Sequence, residues 1–415
     1  MDHEAKSARP PREELPLSDI KVCDLMWVMA GPASTRILAD YGAQIVRVES
    51  PTRMDTARTV GPYHRNLIAP DSSALFGNNN AGKLGISLDL ARPEARGVVL
   101  DLVRWADVVT ESFSPKAMRA WGLDYESLRK VKPDLIMLST CLMGQSGPLA
   151  MYAGFGNLAS ALAGFYNLCG WPDRAPAGPF GAYSDYIAPR FTVVALLAAI
   201  DHRRRTGQGQ YIDQSQAESA LHFLSPAILD YTANGRVWGR SGNRDPDHAP
   251  HGVYPAAGDD RWVAIACRTE AHWRALCTAM GEEGLVNDAR FETFALRQSN
   301  CDALDAVIAK WTGGRDRHEL ERMLQERGVP ASAVQDSADC VCDPQLRHRG
   351  HFVELPHSTL GKTVIEGTRF HLSRTPAQIT RPAPSTGQDN QHVLEEILGY
   401  SQARIDELVA AGVLG

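Results

Sequence analysis

Ile20-Lys-Val-Cys-Asp-Leu25, Ala33-Ser-Thr-Arg-Ile-Leu-Ala-Asp-Tyr41 and Ala43-Gln-Ile-Val-Arg-Val-Glu49 follow one another almost without a gap. The first and third are short apolar runs of strand length, and the piece between them reads as a helix. A strand, a covering helix and a second strand, joined this tightly, make a βαβ unit with parallel strands. The alternation continues outward. Residues 85–90, 107–111 and 135–140 read as further strands, and residues 93–105, with Pro93 in the first turn, and 125–131 as helices. Continuous apolar strands separated by helices predict a mostly parallel sheet covered on both faces. Between Ser50 and Lys83 lies a long stretch holding Pro51, Pro62 and Pro70. A connection of that length is usually functional or packed under other elements.

Further along, a helical block is expected over 153–169, a loop rich in Pro and Gly over 170–181, and a long helix over 187–205. Thr206-Gly207 stops that helix, and a strand follows at 210–214. Residues 236–255 are turn-rich and read as a linker. A strand at 261–267, helices at 271–280, 301–312 and 318–327, and a strand at 329–335 make a smaller α/β unit. The tail returns to extended pieces and ends in helices at 390–398 and 402–410.

The chain has 415 residues, enough for two or three domains, and its 44% hydrophobic and 22% charged composition supports a large core. Lys+Arg 43 against Asp+Glu 49 leaves a net charge of −6, which disfavours nucleic acid or an anionic membrane as the main partner. Residues 1–17 are charged and proline-bearing, without the apolar stretch of a signal peptide. The longest apolar run, 191–200, is too short to span a bilayer. The eight cysteines are scattered through apolar surroundings and read as free thiols. Only Cys340 and Cys342 sit close together, and no histidine pair stands at zinc spacing near them, so no metal site is expected.

The loop after the first strand, Met26-Trp-Val-Met-Ala-Gly-Pro32, lacks the GxGxxG of dinucleotide binding, which disfavours NAD or FAD chemistry. In open α/β sheets ligands nonetheless sit beyond the carboxyl ends of the strands, here 27–30, 50–53, 112–114 and 141–144. Arg203, Arg204 and Arg205 close a helix, where cations complement the dipole. Gly207-Gln-Gly-Gln210 reads as a helix-stop turn, and His248 and His251 as loop surface. No GxSxG elbow supports a serine hydrolase. The informative segment is Gly178-Pro-Phe-Gly-Ala-Tyr-Ser-Asp-Tyr-Ile-Ala-Pro-Arg190. Asp185 lies directly before the long helix, which fits a helix N-cap. It also fits a carboxylate nucleophile kept ionised at neutral pH by the helix dipole, and one residue can be both.

Read in order, the chain resembles a class III CoA-transferase, the superfamily of formyl-CoA:oxalate CoA-transferase and α-methylacyl-CoA racemase. The resemblance rests on Val28-Met-Ala-Gly-Pro32, Tyr41-Gly-Ala-Gln-Ile-Val-Arg-Val-Glu49, Asn80-Ala-Gly-Lys83 before Ile86-Ser-Leu-Asp-Leu90, and Ala106-Asp-Val-Val-Thr-Glu-Ser-Phe113. It continues through Gly181-Ala-Tyr-Ser-Asp185, Arg205-Thr-Gly-Gln-Gly-Gln210, Asp288-Ala-Arg-Phe291, Gly328-Val-Pro330 and Asp343-Pro-Gln-Leu-Arg-His-Arg349. It implies a large Rossmann-like CoA-binding domain (residues 1–225), a linker (226–255), a small α/β domain (256–335), and a linker with a return to the large domain (336–415). It also implies a ring-shaped chain that interlocks with a second copy as a homodimer in the cytoplasm, with no nucleic-acid or membrane partner.

By the same resemblance, Asp185 is the nucleophile that moves CoA from an acyl-CoA donor to a carboxylic acid, through an aspartyl anhydride and an aspartyl-CoA thioester. Coenzyme A enters as substrate, with no permanently bound cofactor. The implied CoA contacts are Met29, Ala30, Ser50, Leu88, Asp89, Leu90, Ser112, Phe113 and Ser114. Gly242, Asn243 and Arg244 stand where the family has a mobile glycine loop, without its run of glycines. Ser112 and Ala120 replace an Asn and an Arg common in the family, and Met29 replaces a polar residue used by some members. Two other readings remain: a 2-methylacyl-CoA racemase and a non-catalytic CoA-binding subunit of a heteromeric transferase. The racemase needs a histidine in an Ala-Gly-His segment, and here the segment is Ala153-Gly-Phe-Gly156. Trp27, Met29, Tyr183 and Tyr186 hint at an apolar or aromatic acid.

Overall fold

The computed structural model describes Pro11 and residues 14–415, so the reading of the N-terminus as free of a signal segment falls largely outside the described residues. The described chain divides into two compact units. The larger holds the residues up to Tyr166, Gly178–Val237 and Arg347–Gly415; the smaller holds Asn167–Ala177 and Trp238–Leu346.

The large unit is built on β1 (Lys21–Leu25), β2 (Gln44–Glu49), β3 (Leu84–Ser87), β4 (Val108–Glu111), β5 (Ile136–Cys141) and β6 (Tyr211–Ser215). They form one sheet in the order β3-β2-β1-β4-β5-β6 with every neighbour parallel. That is the doubly wound order of Rossmann-type sheets, and its direction reverses between β1 and β4. Side chains alternate across the sheet as the strand period of two requires. Val22, Ile45, Val108, Ile136 and Leu138 pack on one face against α1 (Ala30–Asp40) and the long α4 (Tyr183–Thr206). Cys23, Val46, Val109 and Met137 pack on the other against α2 (Pro93–Trp105) and the C-terminal residues Val393, Leu394, Ile405 and Leu408. The C-terminal segment therefore completes the core of the large unit. Two further helices follow the sheet's order in the chain: α3 (Gly156–Leu162), before α4, and α5 (Ser225–Asn234), after β6.

The stretch between β2 and β3 is packed by charge. Arg58 pairs with Glu49 at 2.7 Å and Asp71 at 2.8 Å and lies over the Phe76 ring, while Arg47 pairs with Asp55. Arg47, Asp55 and Arg58 are all buried.

The small unit has an antiparallel sheet of β7 (His251–Pro255), β8 (Trp262–Ala266) and β9 (Ala331–Ala333), in that order. Helices Glu270–Met280, Cys301–Thr312 and Arg317–Glu326 cover it around Trp273, Phe291 and Leu320.

Residues 226–255, expected as a linker, are corrected in part. Ser225–Asn234 is helical, with Pro226 in its first turn and Gly235 stopping it at positive φ, and His251–Pro255 is a strand. The turn residues between the two hid both ends. The long helix begins at Tyr183, well before the expected 187, and carries Pro189 inside it. Among the described residues no helix is long and apolar enough to cross a membrane.

Candidate active site

At the carboxyl end of the sheet, where its winding reverses, the large unit holds a cavity of about 630 Å³. Each strand exit supplies part of its wall. Beyond β1, Trp27 and Val28 lead into Met29, Ala30 and Gly31, at the start of α1, which no side chain caps. Val28 stands at φ 67°, the left-handed region that costs a β-branched residue on the order of 1–3 kcal/mol. Its amide is held by Asp55, at 3.0 Å from Oδ1 and 3.2 Å from Oδ2.

After β2, Ser50 turns the chain by accepting the amide of Arg53 at 3.1 Å. After β3 come Leu88, Asp89 and Leu90; the Leu88 amide bonds the Glu49 carbonyl at 2.8 Å. After β4, Ser112 Oγ accepts the Trp27 amide at 2.9 Å, tying two strand exits together. Phe113 stands edge-on between Trp27 and Trp121, at 5.8 and 5.2 Å between ring centres. Just behind it, Glu111 accepts the Phe113 amide at 2.6 Å, and burial pushes its carboxyl up to about 7. Cys141, the last residue of β5, and Leu142 close the wall there.

Asp185 comes from the first turn of α4 and meets the same cavity from the side. It is 6% exposed. Ala182, not Asp185, occupies the N-cap position, and no side chain caps the helix. The N-cap reading is therefore corrected: the carboxylate is left for another use. Its partner is the Gly156 amide, and burial pushes the carboxyl up to about 7 against the pull of that bond. The helix start alone does not hold the carboxyl at its ordinary value, because loss of water outweighs it. Gly156 is itself fixed, since its carbonyl accepts the hydroxyls of Ser160 at 2.7 Å and Ser184 at 3.1 Å. A Cβ there would lie 2.6 Å from Asp185 Oδ1, so the position requires glycine.

The chain belongs to CoA-transferase family III. That family's sequence model matches residues 17–390. The chain is 33% identical to succinyl-CoA–D-citramalate CoA-transferase of Chloroflexus aurantiacus, over 98% of this chain and all of that protein. It is 34% identical to succinate–glutarate CoA-transferase of Agrobacterium fabrum, over 93% of this chain and 97% of that protein. The fold matches the crystal structure of a CAIB/BAIF family protein from Brucella suis with a TM-score of 0.85 at 32% identity, covering 92% of this chain and 99% of that one. This family III CoA-transferase is thus an enzyme that uses CoA thioesters as substrates.

In this CoA-transferase, Met29, Ala30, Ser50, Leu88, Asp89, Leu90, Ser112, Phe113 and Ser114 all line the one cavity, together with Asp185. Every lining residue belongs to the large unit. Gly242, Asn243 and Arg244 belong to the small unit. There Arg244 pairs with Asp302 and Asp305 at 2.6 and 2.7 Å, the Asn243 carbonyl meets His251 Nδ1 at 2.6 Å, and Gly242 turns at positive φ against Trp171. His248 and His251 lie beside one another, yet among the described residues no group of three or more His, Cys, Asp or Glu could hold a metal ion. Sequence reasoning missed Gly156, Asp55 and Glu111. The paired glycines around Phe155 were the available signal for the first; a buried aspartate in a long loop carries none.

Proposed function

We propose that this enzyme moves CoA from an acyl-CoA to a carboxylic acid with Asp185 as the nucleophile. The observation that carries the reading is a buried carboxylate, free of any capping duty, on the wall of the cavity that the strand exits form. Asp185 attacks the thioester carbonyl, and collapse of the tetrahedral adduct expels CoA thiolate and leaves a mixed anhydride. The thiolate then attacks the aspartyl carbonyl, releasing the donor's acid and forming an aspartyl-CoA thioester. The acceptor carboxylate opens that thioester to a second anhydride, from which the returning thiolate takes the new acyl group and frees Asp185. The thioester's free energy is kept at each exchange, so no nucleotide is consumed. The amides of Ala30 and Gly31, in the uncapped first turn of α1 on the same cavity wall, are suited to receive the oxyanion.

CoA would lie along Met29, Ala30, Ser50, Leu88–Leu90 and Ser112–Ser114, with the thiol toward Asp185. Phe155, on the wall and directly before the amide that holds Asp185, stands where a racemase needs a second proton carrier. Of the residues expected to favour an apolar or aromatic acid, Trp27 and Met29 line the cavity and Tyr183 and Tyr186 do not; Met151, Tyr152 and Phe155 on its wall support the same reading. We read the working form as an interlocked homodimer of ring-shaped chains. α5 has no buried residue of its own, and exposes Ile228, Leu229 and Tyr231 in a pattern that a second copy would cover. The eight free cysteines fit the reducing cytoplasm, where acyl-CoA is made and used.

The test is chemical. Protein incubated with acyl-CoA, quenched and digested should yield a CoA adduct on the peptide carrying Asp185. An Asp185→Ala enzyme transferring CoA at the original rate would defeat the proposal. Deuterium entering the α-carbon of a 2-methylacyl-CoA would favour the racemase, and failure of the purified chain to turn over alone would favour the heteromeric subunit.

A further inference from the structure

Three consecutive amides at the β1 exit are each held by a side chain, the last two from distant segments of the chain. Asp24 Oδ1 takes the Met26 amide at 3.0 Å, Ser112 Oγ the Trp27 amide at 2.9 Å, and both oxygens of Asp55 the Val28 amide. Arg47 closes the device from below: one guanidinium nitrogen donates to the Met26 carbonyl at 2.6 Å and another pairs with Asp55. Arg47 and Asp55 are wholly buried, and neither lines the cavity. Val28 is the one β-branched residue at positive φ among the described residues. A conformation of that kind persists only where its surroundings over-determine it.

We infer that Asp55, gripped by Arg47, is a positioning residue that holds Val28 in its left-handed conformation and thereby aims Met29 and Ala30 into the cavity. The inference rests on the cavity being the CoA site. An extended Val28 would turn the following residues away from the wall and move the start of α1. Asp55 also accepts the Ala57 amide at 2.9 Å, which on its own would make it only a cap for the Thr56–Thr59 turn. The two roles predict different behaviour. A cap supports the loop's stability; a clamp on Val28 controls ligand affinity and becomes dispensable when residue 28 can take positive φ unaided.

The experiment titrates CoA into the purified full-length chain by calorimetry, with the melting temperature of each variant measured in parallel. Asp55→Asn is expected to weaken CoA at least tenfold, and Val28→Gly in the same chain to recover threefold or more of that loss. Val28→Gly alone is the reference from which the double variant is read, and it should melt no lower than the parent. A melting-temperature loss with unchanged CoA affinity in Asp55→Asn, or losses that simply add in the double variant, overturns the clamp. If Asp55→Asn does not fold, Val28→Gly alone decides, and a clear fall in its melting temperature overturns it. Phe113→Ala separates the two layers. If it leaves CoA binding intact, the cavity is not the CoA site and the clamp falls with it; if it weakens CoA while folded Asp55→Asn does not, only the clamp is wrong.

Discussion

The Gly156 amide and the Asp185 carboxylate meet so closely that a single methyl group on Gly156 would stand 2.6 Å from Asp185 Oδ1 and 2.9 Å from the Ala182 carbonyl. Gly156→Ala must therefore push the carboxylate or the start of α4 aside. The expected result is a fall in kcat of about a hundredfold or more, since displacements on the order of 1 Å have that effect. Overpacking should cost about 1–3 kcal/mol of stability. Turnover and chemical denaturation of the same preparation check both, and a fully active Gly156→Ala enzyme would contradict the geometry.

Asp185 titrates near 7, so kcat/KM for the acyl-CoA should rise as pH increases from 5 and level off above about 7. Glu111 is raised to the same region by burial. Glu111→Gln should leave the inflection in place, which assigns it to Asp185; loss of the inflection in that variant would assign it to Glu111 instead.

The same shift affects folding. The folded carboxyl holds its proton to about 7, whereas the unfolded one releases it near 3.9. The stabilising contribution is present below the lower value and is lost as pH rises through that window. Asp185→Asn should therefore be more stable than the parent at pH 8, by about 2–4 kcal/mol at roughly 1.4 kcal/mol per pKa unit. The difference should shrink toward pH 4. Denaturant midpoints at the two pH values measure it.

Beneath the cavity, Lys83 and Asp24 form a fully buried pair at 3.0 Å, with Thr35, Thr110, Asn80 and the Pro32 carbonyl completing their bonds. Lys83→Met strands the Asp24 charge and should cost about 3–5 kcal/mol. Adding Asp24→Asn should recover part of that loss. Strictly additive losses in denaturation would mean that the pair is not coupled.

α5 offers a test of assembly. With Leu229 63% exposed on a helix that buries nothing of its own, Leu229→Arg should lower the dimeric fraction or the yield of folded chain if a second copy covers this face. Light scattering on parent and variant reads the outcome; an unchanged mass and yield would remove this face from the interface.

Strand and helix alternation from Ile20 onward carried enough information for the parallel sheet, because apolar strands buried on both faces have few other arrangements. The cavity's place followed from it: residues just past the strands, such as Ser50, Leu88 and Ser112, must crowd one end when all strands run the same way. Pro93 and the Gly207 stop marked their helix ends for the same local reasons. The start of α4 was misread because Pro189 resembles a first-turn residue, while the fold accommodates it inside the helix.

Local pattern had no means of showing that Gly156 presses on Asp185, that Asp55 reaches back to Val28, or that Asn167–Ala177 joins the small unit. These are contacts between segments distant in the chain, and side-chain chemistry at one position does not name its partner at another. The ionisation of Asp185 belongs with them. Its residue type and helix position point to a charged carboxylate, but its pKa depends on how much water the surrounding walls remove.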